Sequence, residues 1–371
     1  MATVTNIYTY PLKSAKHITS ISHHVDEYGL VGDRRFIISD LQGNMLTGRT
    51  HPQIAQIVFN ADNHNICLSH PSLADISMGV AEFGKDTKPI TVWADSFKGH
   101  HCHQDIDAWL SQLLGEPCML LRYGEESLRS VKRYRSNKLA FADGYPLLLI
   151  SEASLTELNK RSSDNHDMLE FRPNIVVDGE SDFIEDTWRR FKIGEVEFEV
   201  VKPCSRCVFT TLKLGSSEYR GNNEPVKTLK TFRQGKDNEV YFGQNVIARN
   251  QGQIRVGDKV EVLSYQTPEA YPDTSKDTPA MDNKMVNVLF DNLDKSLQIN
   301  THEPILDQAL AAGVFLPRNC QAGRCGRCKM ILVSGEVNQG EQSALTPFEI
   351  DNGAVLTCCA TAKTDLVLNL E

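Results

Sequence analysis

The sequence predicts a mainly β protein with α+β parts, built as two barrel-like modules followed by a smaller C-terminal unit. Three observations carry this. Short β-like runs separated by turn signals dominate the first 265 residues, among them Arg35-Phe36-Ile37-Ile38-Ser39, Asn174-Ile175-Val176-Val177 and Val196-Glu197-Phe198-Glu199-Val200. Helical patterns are few there: Ile106 to Leu114, and Glu152 to Lys160 behind Ser151, whose hydroxyl suits the free backbone N–H groups of a helix start. The composition then changes between Thr267 and Lys284, where Pro268, Pro272 and Pro279 stand among Asp, Ser, Thr and Lys with almost nothing to bury; this reads as a semi-extended linker. The expected division is 1–120 and 121–266 for the barrel modules, 267–284 for the linker and 285–371 for the last unit.

The 371 residues are 40% hydrophobic and 23% charged, which excludes disordered and fibrous classes. Lys plus Arg is 39 and Asp plus Glu is 48, a net charge of −9 that argues against nucleic acid as the main partner, because such binding rests on clustered cations. No apolar run approaches the roughly 18 residues of a membrane span. The opening Met1-Ala2-Thr3-Val4-Thr5-Asn6 has neither the basic nor the apolar region of a secretory signal. The expectation is a cytoplasmic protein with no membrane partner. In that reducing setting the clustered ones among its ten cysteines are expected as metal ligands or redox groups rather than disulfides, while Cys67, Cys102 and Cys118 stand apart.

Five of those cysteines crowd the last unit. Cys320-x4-Cys325-x2-Cys328, then twenty-nine residues, then Cys358, is the plant-type 2Fe–2S ligand spacing. Four thiolates must converge on a compact cluster, and Gly323 and Gly326 permit the backbone angles and close approach that the loop needs. The flanks agree: Asn287 to Ile299 alternates as a hairpin, Ile305 to Val314 has helical apolar spacing, Val355-Leu356-Thr357 leads in the last ligand, and Leu366-Val367-Leu368 closes a sheet. Cys359, one residue beyond the spacing, takes no ligand role. The alternative is a four-cysteine zinc site, but zinc prefers two short C-x2–4-C pairs and Cys358 stands alone. The segment 285–371 resembles the plant-type ferredoxin domain, a β-grasp fold, over its whole length.

A second site is expected earlier in the chain. Lys13, Ser14 and Arg34 offer charge-assisted donors to one phosphate. Glu170-Phe171-Arg172-Pro173-Asn174 adds a further Arg and Asn at the start of a strand, and Pro203-Cys204-Ser205-Arg206-Cys207 places a thiolate candidate beside a cation that favours its ionised form. A thioredoxin-like dithiol or half of a zinc site are the other readings of Cys204-x-x-Cys207, although no βαβ context and no second C-x-x-C accompany it. His100-His101-Cys102-His103 reads as a solvated turn and His23-His24 as an exposed strand edge. Glu185-Asp186-x-Trp188 reads as structural, the Trp packing while the acids cap or pair with Arg189 or Arg190.

At these residues the chain resembles a known family. YPLKSAKHITSI and GLVGDRRFIISDLQGNMLTGRTHPQIAQI, between Tyr10 and Ile57, resemble the N-terminal β-barrel module that precedes MOSC domains. Phe141-Ala142-Asp143-Gly144-Tyr145-Pro146, Phe171-Arg172-Pro173-Asn174-Ile175, Cys204-Ser205-Arg206-Cys207 with Thr210-Thr211, and Gln244-Asn245 after Phe242-Gly243 resemble the MOSC domain itself. With the ferredoxin unit appended, the chain is similar to bacterial YcbX-type proteins, relatives of the mitochondrial amidoxime-reducing component. The resemblance implies a molybdenum cofactor, a pyranopterin dithiolene that holds the metal together with one protein cysteine, here Cys207. It implies cofactor contacts from Lys13, Ser14, Arg34, Arg172, Asn174, Ser205, Arg206 and Asn245, with Gly144 and Tyr145 similarly placed.

The implied activity is reductive removal of oxygen from nitrogen: R–NHOH plus two electrons and two protons gives R–NH2 and water. Hydroxylaminopurines and amidoximes are the implied substrates, and detoxification of mutagenic base analogues would follow. The cluster would accept electrons singly and pass them inward. The chain has no G-x-G-x-x-G fingerprint, and Lys132-Arg133-Tyr134-Arg135 does not fit a flavin-binding R-x-Y-S, so an external NAD(P)H-dependent flavoprotein reductase is the implied donor. Two other classes stay open: the reductase component of an oxygenase, and a sulfur-carrier or cofactor-binding module in which Cys207 carries persulfide.

Overall fold

The computed structural model describes residues 2–275 and 284–370; residues 276–283 of the expected linker lie outside them. Leu147–Ser151 is apolar at four of five positions and buried at all five, as a strand covered on both faces must be. It lies inside an eight-stranded sheet, between Ile175–Val177, to which it is parallel, and Tyr241–Ala248, to which it is antiparallel. Its Leu147 and Leu149 enter one core with Val196, Phe198 and Val246, while Leu148 and Ile150 enter the opposite one with Phe171 and Phe242.

The sheet also takes in the start of the chain. Val4–Thr9 pairs with Ile175–Val177, and Ser22–Asp26 pairs with Gly252–Arg255 in a smaller sheet. The two barrel-like bodies are thereby interlocked rather than strung in series. The other body is a five-stranded sheet containing Phe36–Asp40 and Cys118–Arg122, joined by the three-stranded sheet Val58–Ala61, Asn65–His70 and Leu73–Gly79. Helix Gln104–Leu114 closes its core with Ile106, Trp109, Leu110 and Leu114. Helix Glu152–Arg161 starts as its sequence requires: Ser151 Oγ accepts from the Ser154 N–H at 3.1 Å. A further helix, Val226–Arg233, is too short for its three apolar anchors to show a period in sequence. Among the described residues no helix is long and apolar enough to cross a membrane.

Three expectations are corrected. His100 and His101 belong to strand Asp95–His101 and Cys102 is fully buried, because this stretch is a core strand leading into the helix that His103 caps. His23 and His24 lie on the central strand of a three-stranded sheet, since Gly252–Arg255 returns from far along the chain to cover that edge. Glu185 and Asp186 are structural but have other partners. Glu185 accepts from Ser151 N (3.1 Å) and Ser154 Oγ (2.8 Å), and Asp186 accepts from Gln244 Nε2 at 2.5 Å. Both acids are buried and so take partners from neighbouring core elements, while Arg189 pairs across the sheet with Glu199 and Arg190 with Glu197.

The C-terminal unit has strand order Lys295–Asn300, Met285–Phe290, Leu366–Leu370, Lys329–Ser334, Ala354–Leu356, with helix Ile305–Ala311 packed on one face through Ile305, Leu306, Ala309 and Leu310. Leu366–Leu370 is central, parallel to Met285–Phe290, so it completes the sheet from within.

This unit is fixed to the rest by a buried polar contact. Gln321 Nε2 donates to Asn223 Oδ1 at 2.9 Å while Asn223 Nδ2 donates back to Gln321 Oε1, both residues being almost wholly buried. Lys230 pairs with Asp307 at 3.2 Å, and Arg324 Nη2 donates to the Asp237 carbonyl at 2.7 Å. Removing Asn223 leaves the Gln321 amide buried without it, and removing Gln321 leaves Asn223 Oδ1 without its donor, though Asn223 Nδ2 still reaches Asp307 Oδ1 at 3.3 Å. A double-mutant cycle on Asn223→Ala and Gln321→Ala should therefore show coupling on the order of 0.5–3 kcal/mol. Both residues have positive φ, but that backbone cost cancels in the coupling energy. Urea melts of the four proteins measure it, and coupling near zero would mean the pair does not hold the unit.

Candidate functional site

Strands Val4–Thr9, Ile175–Val177, Leu147–Ser151, Tyr241–Ala248 and Val196–Ser205 are successive neighbours in the large sheet, so residues near their ends converge. They frame a cavity of about 160 Å³. Lys13 and Ser14 line it from the segment after the first strand, Arg34 from the turn before Phe36–Asp40, and Gly144 and Tyr145 from the loop before Leu147–Ser151. Arg172 and Asn174 line it from the approach to Ile175–Val177, Asn245 from its own strand, and Ser205, Arg206 and Cys207 from the end of Val196–Ser205. Every residue expected at this site is thus brought to one wall or another of a single cavity.

The backbone is bent to do this. Ser14, Arg34 and Arg172 have φ of 70°, 48° and 55°, a left-handed conformation that costs side-chain-bearing residues on the order of 1–3 kcal/mol and collects at ligand sites. Tyr10, fully buried, takes both Arg34 and Arg172 against its ring, with centroid distances of 4.3 and 4.0 Å. Arg34 also pairs with Asp33 at 2.5 Å and donates to Asn174 Oδ1 at 3.0 Å. Asn174 Nδ2 donates to the Tyr8 carbonyl at 3.1 Å, and Asn245 Nδ2 to the Pro203 carbonyl at 3.2 Å.

Sequence reasoning missed three participants. Arg49 Nε donates to Cys207 Sγ at 3.2 Å and Arg49 Nη2 to Asp143 Oδ2 at 2.9 Å. Trp93 Nε1 donates to Asp143 Oδ1 at 3.1 Å, and the Arg49 guanidinium lies 4.7 Å from the Trp93 ring centre. Lys13 pairs with the same Asp143 and donates to the Phe141 carbonyl at 2.7 Å. Arg49 and Asp143 both stand inside the motif runs, but Arg49 is 94 residues from Asp143 and 158 from Cys207, and such separations leave no spacing signal of contact.

Burial pulls the Lys13 ammonium down to about 8, opposed by the Asp143 carboxylate. Desolvation would raise Asp143, but the charges of Lys13 and Arg49 hold it well below the usual carboxylate range. Burial likewise lowers Arg172 to about 10 and lowers Arg206. Arg172 Nη1 reaches the Ala15 carbonyl at 2.8 Å; Arg206 reaches those of Phe242 (2.8 Å) and Phe171 (3.0 Å). Among the described residues neither has a carboxylate at ion-pair distance. Two desolvated guanidiniums satisfied only by carbonyls, facing a cavity, fit an anionic group such as a phosphate. Cys207 Sγ, beside Arg49, fits a soft metal. Cys204 packs partly into the core with its thiol 3.7 Å from the Ser205 carbonyl.

The second centre is the loop from Cys320 to Cys328. Gly323, at φ 69°, has no room for a Cβ, which would stand 2.8 Å from Cys359 Sγ and 2.9 Å from the Glu341 carbonyl. Among the described residues no three His, Cys, Asp or Glu side chains close to single-ion distance. A hydrogen bond with Cys325 lowers the Cys320 thiol to about 5, one with Cys358 raises Cys328, and Cys358 Sγ lies 3.4 Å from Cys359 Sγ. The Ala322 N–H also points at Cys320 Sγ, 3.4 Å away. Thiols gathered by a glycine-bent loop, with a peptide N–H turned towards one sulfur, fit a 2Fe–2S cluster.

Comparison with known proteins agrees with this layout. Residues 1–117 match the MOSC N-terminal beta barrel domain, 136–261 the MOSC domain and 290–363 the 2Fe-2S iron-sulfur cluster binding domain. Mitochondrial amidoxime-reducing component 1 of Mus musculus is 31% identical over 287 residues, covering 71% of this chain and 83% of the relative; that of Homo sapiens is 29% identical over 282 residues with the same coverage. Molybdenum cofactor sulfurase of Oryza sativa subsp. japonica is 27% identical over 260 residues, 64% of this chain and 31% of that protein. Identity of 31% along 83% of the relative, together with the matched MOSC N-terminal and MOSC domains, places this protein in the family of the amidoxime-reducing components.

Proposed function

We propose that this oxidoreductase uses a molybdenum cofactor to reduce N-hydroxylated compounds, such as hydroxylaminopurines and amidoximes, with electrons passed from an NAD(P)H-dependent flavoprotein through its 2Fe–2S cluster. The observation that carries the reading is a cavity lined by Cys207, whose thiol meets Arg49, and by two desolvated guanidiniums that lack carboxylate partners among the described residues. The site is shared by the 1–120 and 121–266 modules, and the 285–371 unit supplies electrons. Cys207 would hold the metal. Lys13, Ser14, Arg34, Arg172, Asn174, Ser205, Arg206 and Asn245 would anchor the pterin and its phosphate, with Gly144 and Tyr145 forming the wall beside them. When bound, the cofactor supplies two-electron removal of oxygen from nitrogen.

The chain's own residues do the rest. Arg49 holds Cys207 and Asp143 in one geometry through its two nitrogens. Asp143 is kept ionised by Lys13 and Arg49, so at neutral pH it accepts hydrogen bonds and donates no proton. Trp93 donates to Asp143 and lies against the Arg49 guanidinium, so it backs both residues from behind the cavity wall. The relationship to a molybdenum cofactor sulfurase favours one second reading, in which Cys207 carries persulfide. Metal analysis separates the two: molybdenum and iron together support the reductase, and iron without molybdenum supports the carrier.

Cys207→Ser should lose molybdenum-dependent turnover yet keep the visible spectrum of the cluster; full activity would overturn the ligand assignment. Cys328→Ser should lose turnover with a flavoprotein donor while a small chemical reductant still supports some, and unchanged activity with the protein donor would take the cluster off the electron path. The third expectation concerns pH. Lys13 in the free site gives up its proton near pH 8, so above that value holding a phosphate requires proton uptake and cofactor retention falls as pH rises. Lys13→Arg, charged at every accessible pH, should flatten that loss. Pterin per iron after dialysis at pH 7 and pH 9.5 tests it, and identical profiles for the two proteins would remove Lys13 from the phosphate site.

A further inference from the structure

The two centres meet across a single peptide contact. The Val208 N–H donates to the Asn319 carbonyl at 3.0 Å. Val208 directly follows Cys207, and Asn319 directly precedes Cys320. From the Cys207 sulfur, the route to the Cys320 sulfur runs down one side chain, through the Cys207–Val208 peptide, across this hydrogen bond and through the Asn319–Cys320 peptide into the other side chain. Electronic coupling decays much less along covalent and hydrogen-bonded atoms than across empty space. Val208 is 3% exposed and Gln321, just past Cys320, is 4% exposed and locked to Asn223, so the crossing is dry and geometrically fixed. Cys325, by contrast, is exposed, which leaves the far side of the cluster open to a donor. Lys230–Asp307 and Arg324–Asp237 hold the two bodies together but do not lie on this route.

We propose that the Val208 N–H to Asn319 carbonyl hydrogen bond is the electron bridge from the cluster to the Cys207 centre. The inference rests on the reductase reading above. A reduced flavin or dithionite gives the cluster one electron at a time, and each electron crosses the bridge and leaves the cluster oxidised again. After two crossings the N–O bond of R–NHOH breaks, one proton joins nitrogen, and one joins the departing hydroxyl to give R–NH2 and water.

Val208→Pro tests the bridge in the full-length holoprotein. Proline has no N–H to donate. Val208 is the first residue of the short helical turn Val208–Thr211, where proline is tolerated, and Cys207 before it is extended (φ −125°, ψ 178°), as a residue preceding proline must be. A second variant replaces Val208 with its α-hydroxy acid analogue, exchanging the N–H for an ester oxygen with the side chain unchanged. Two readouts are taken on partly reduced protein whose metal and pterin content match the parent. One is the magnetic splitting between the reduced cluster and the paramagnetic molybdenum signal; the other is the rate at which benzamidoxime reoxidises the dithionite-reduced cluster. Both variants should lose the splitting and reoxidise so slowly that this step limits turnover. Lys230→Ala, which loosens docking without touching the bridge, should keep both at parental values. Parental splitting and reoxidation in the ester variant would overturn the bridge alone. A parent that binds no molybdenum would overturn the reductase reading and the bridge with it.

Discussion

Gathering positive charge around one cavity is the constraint on which the rest of this architecture depends. Lys13, Arg34, Arg49, Arg172 and Arg206 all face the same space, against Asp143, the Asp33 that backs Arg34, and Glu170, which Arg220 and His166 already hold. Two like charges about 4 Å apart at a protein surface repel by about 4 kcal/mol, so such a set stands only if each member is separately tied down. The ties are local and specific. Backbone carbonyls of Ala15, Phe141, Phe171 and Phe242 accept from Arg172, Lys13 and Arg206, and the rings of Tyr10 and Trp93 lie against three guanidiniums. The left-handed backbone at Ser14, Arg34 and Arg172 is part of the same solution, because the segments that deliver these residues must turn sharply off their strands.

The stretch from Cys207 to Thr211 connects this electrostatic problem to the second one, electron supply. One end of it presents a thiol to Arg49; the next peptide grips the cluster-bearing unit through Asn319. In the proposed reading, carrying the electron donor on the same chain keeps it at a high effective concentration, and the buried Asn223–Gln321 pair converts proximity into one fixed docking. An unpaired buried amide is costly, so the pair discriminates against other orientations more than it adds raw affinity.

Most of the fold was legible because it rests on local rules. Alternation and turns marked the strands, and Ser151 marked a helix start. Cysteine spacing pointed to the cluster because a loop wrapped around a small inorganic core has little freedom in length. Local rules failed where a distant segment changed a residue's surroundings. His23 and His24 read as an edge until Gly252–Arg255 paired with them, and the Cys102 stretch read as a turn until the three-stranded sheet closed over its core.

The sequence by itself determined the order of the modules and the spacing of Cys320, Cys325, Cys328 and Cys358, matters of residue type along the chain, while the resemblance to MOSC domains implied the set of residues around Cys207. Only the tertiary structure decided that Arg49 and Trp93 join them through Asp143, that Arg172 and Arg206 rather than the Asp33-paired Arg34 lack a carboxylate, and that Val208 touches Asn319. The physical reason is that hydrogen bonds and ion pairs across long sequence separations are set by how sheets stack and modules dock, and neither leaves a periodicity or a spacing along the chain.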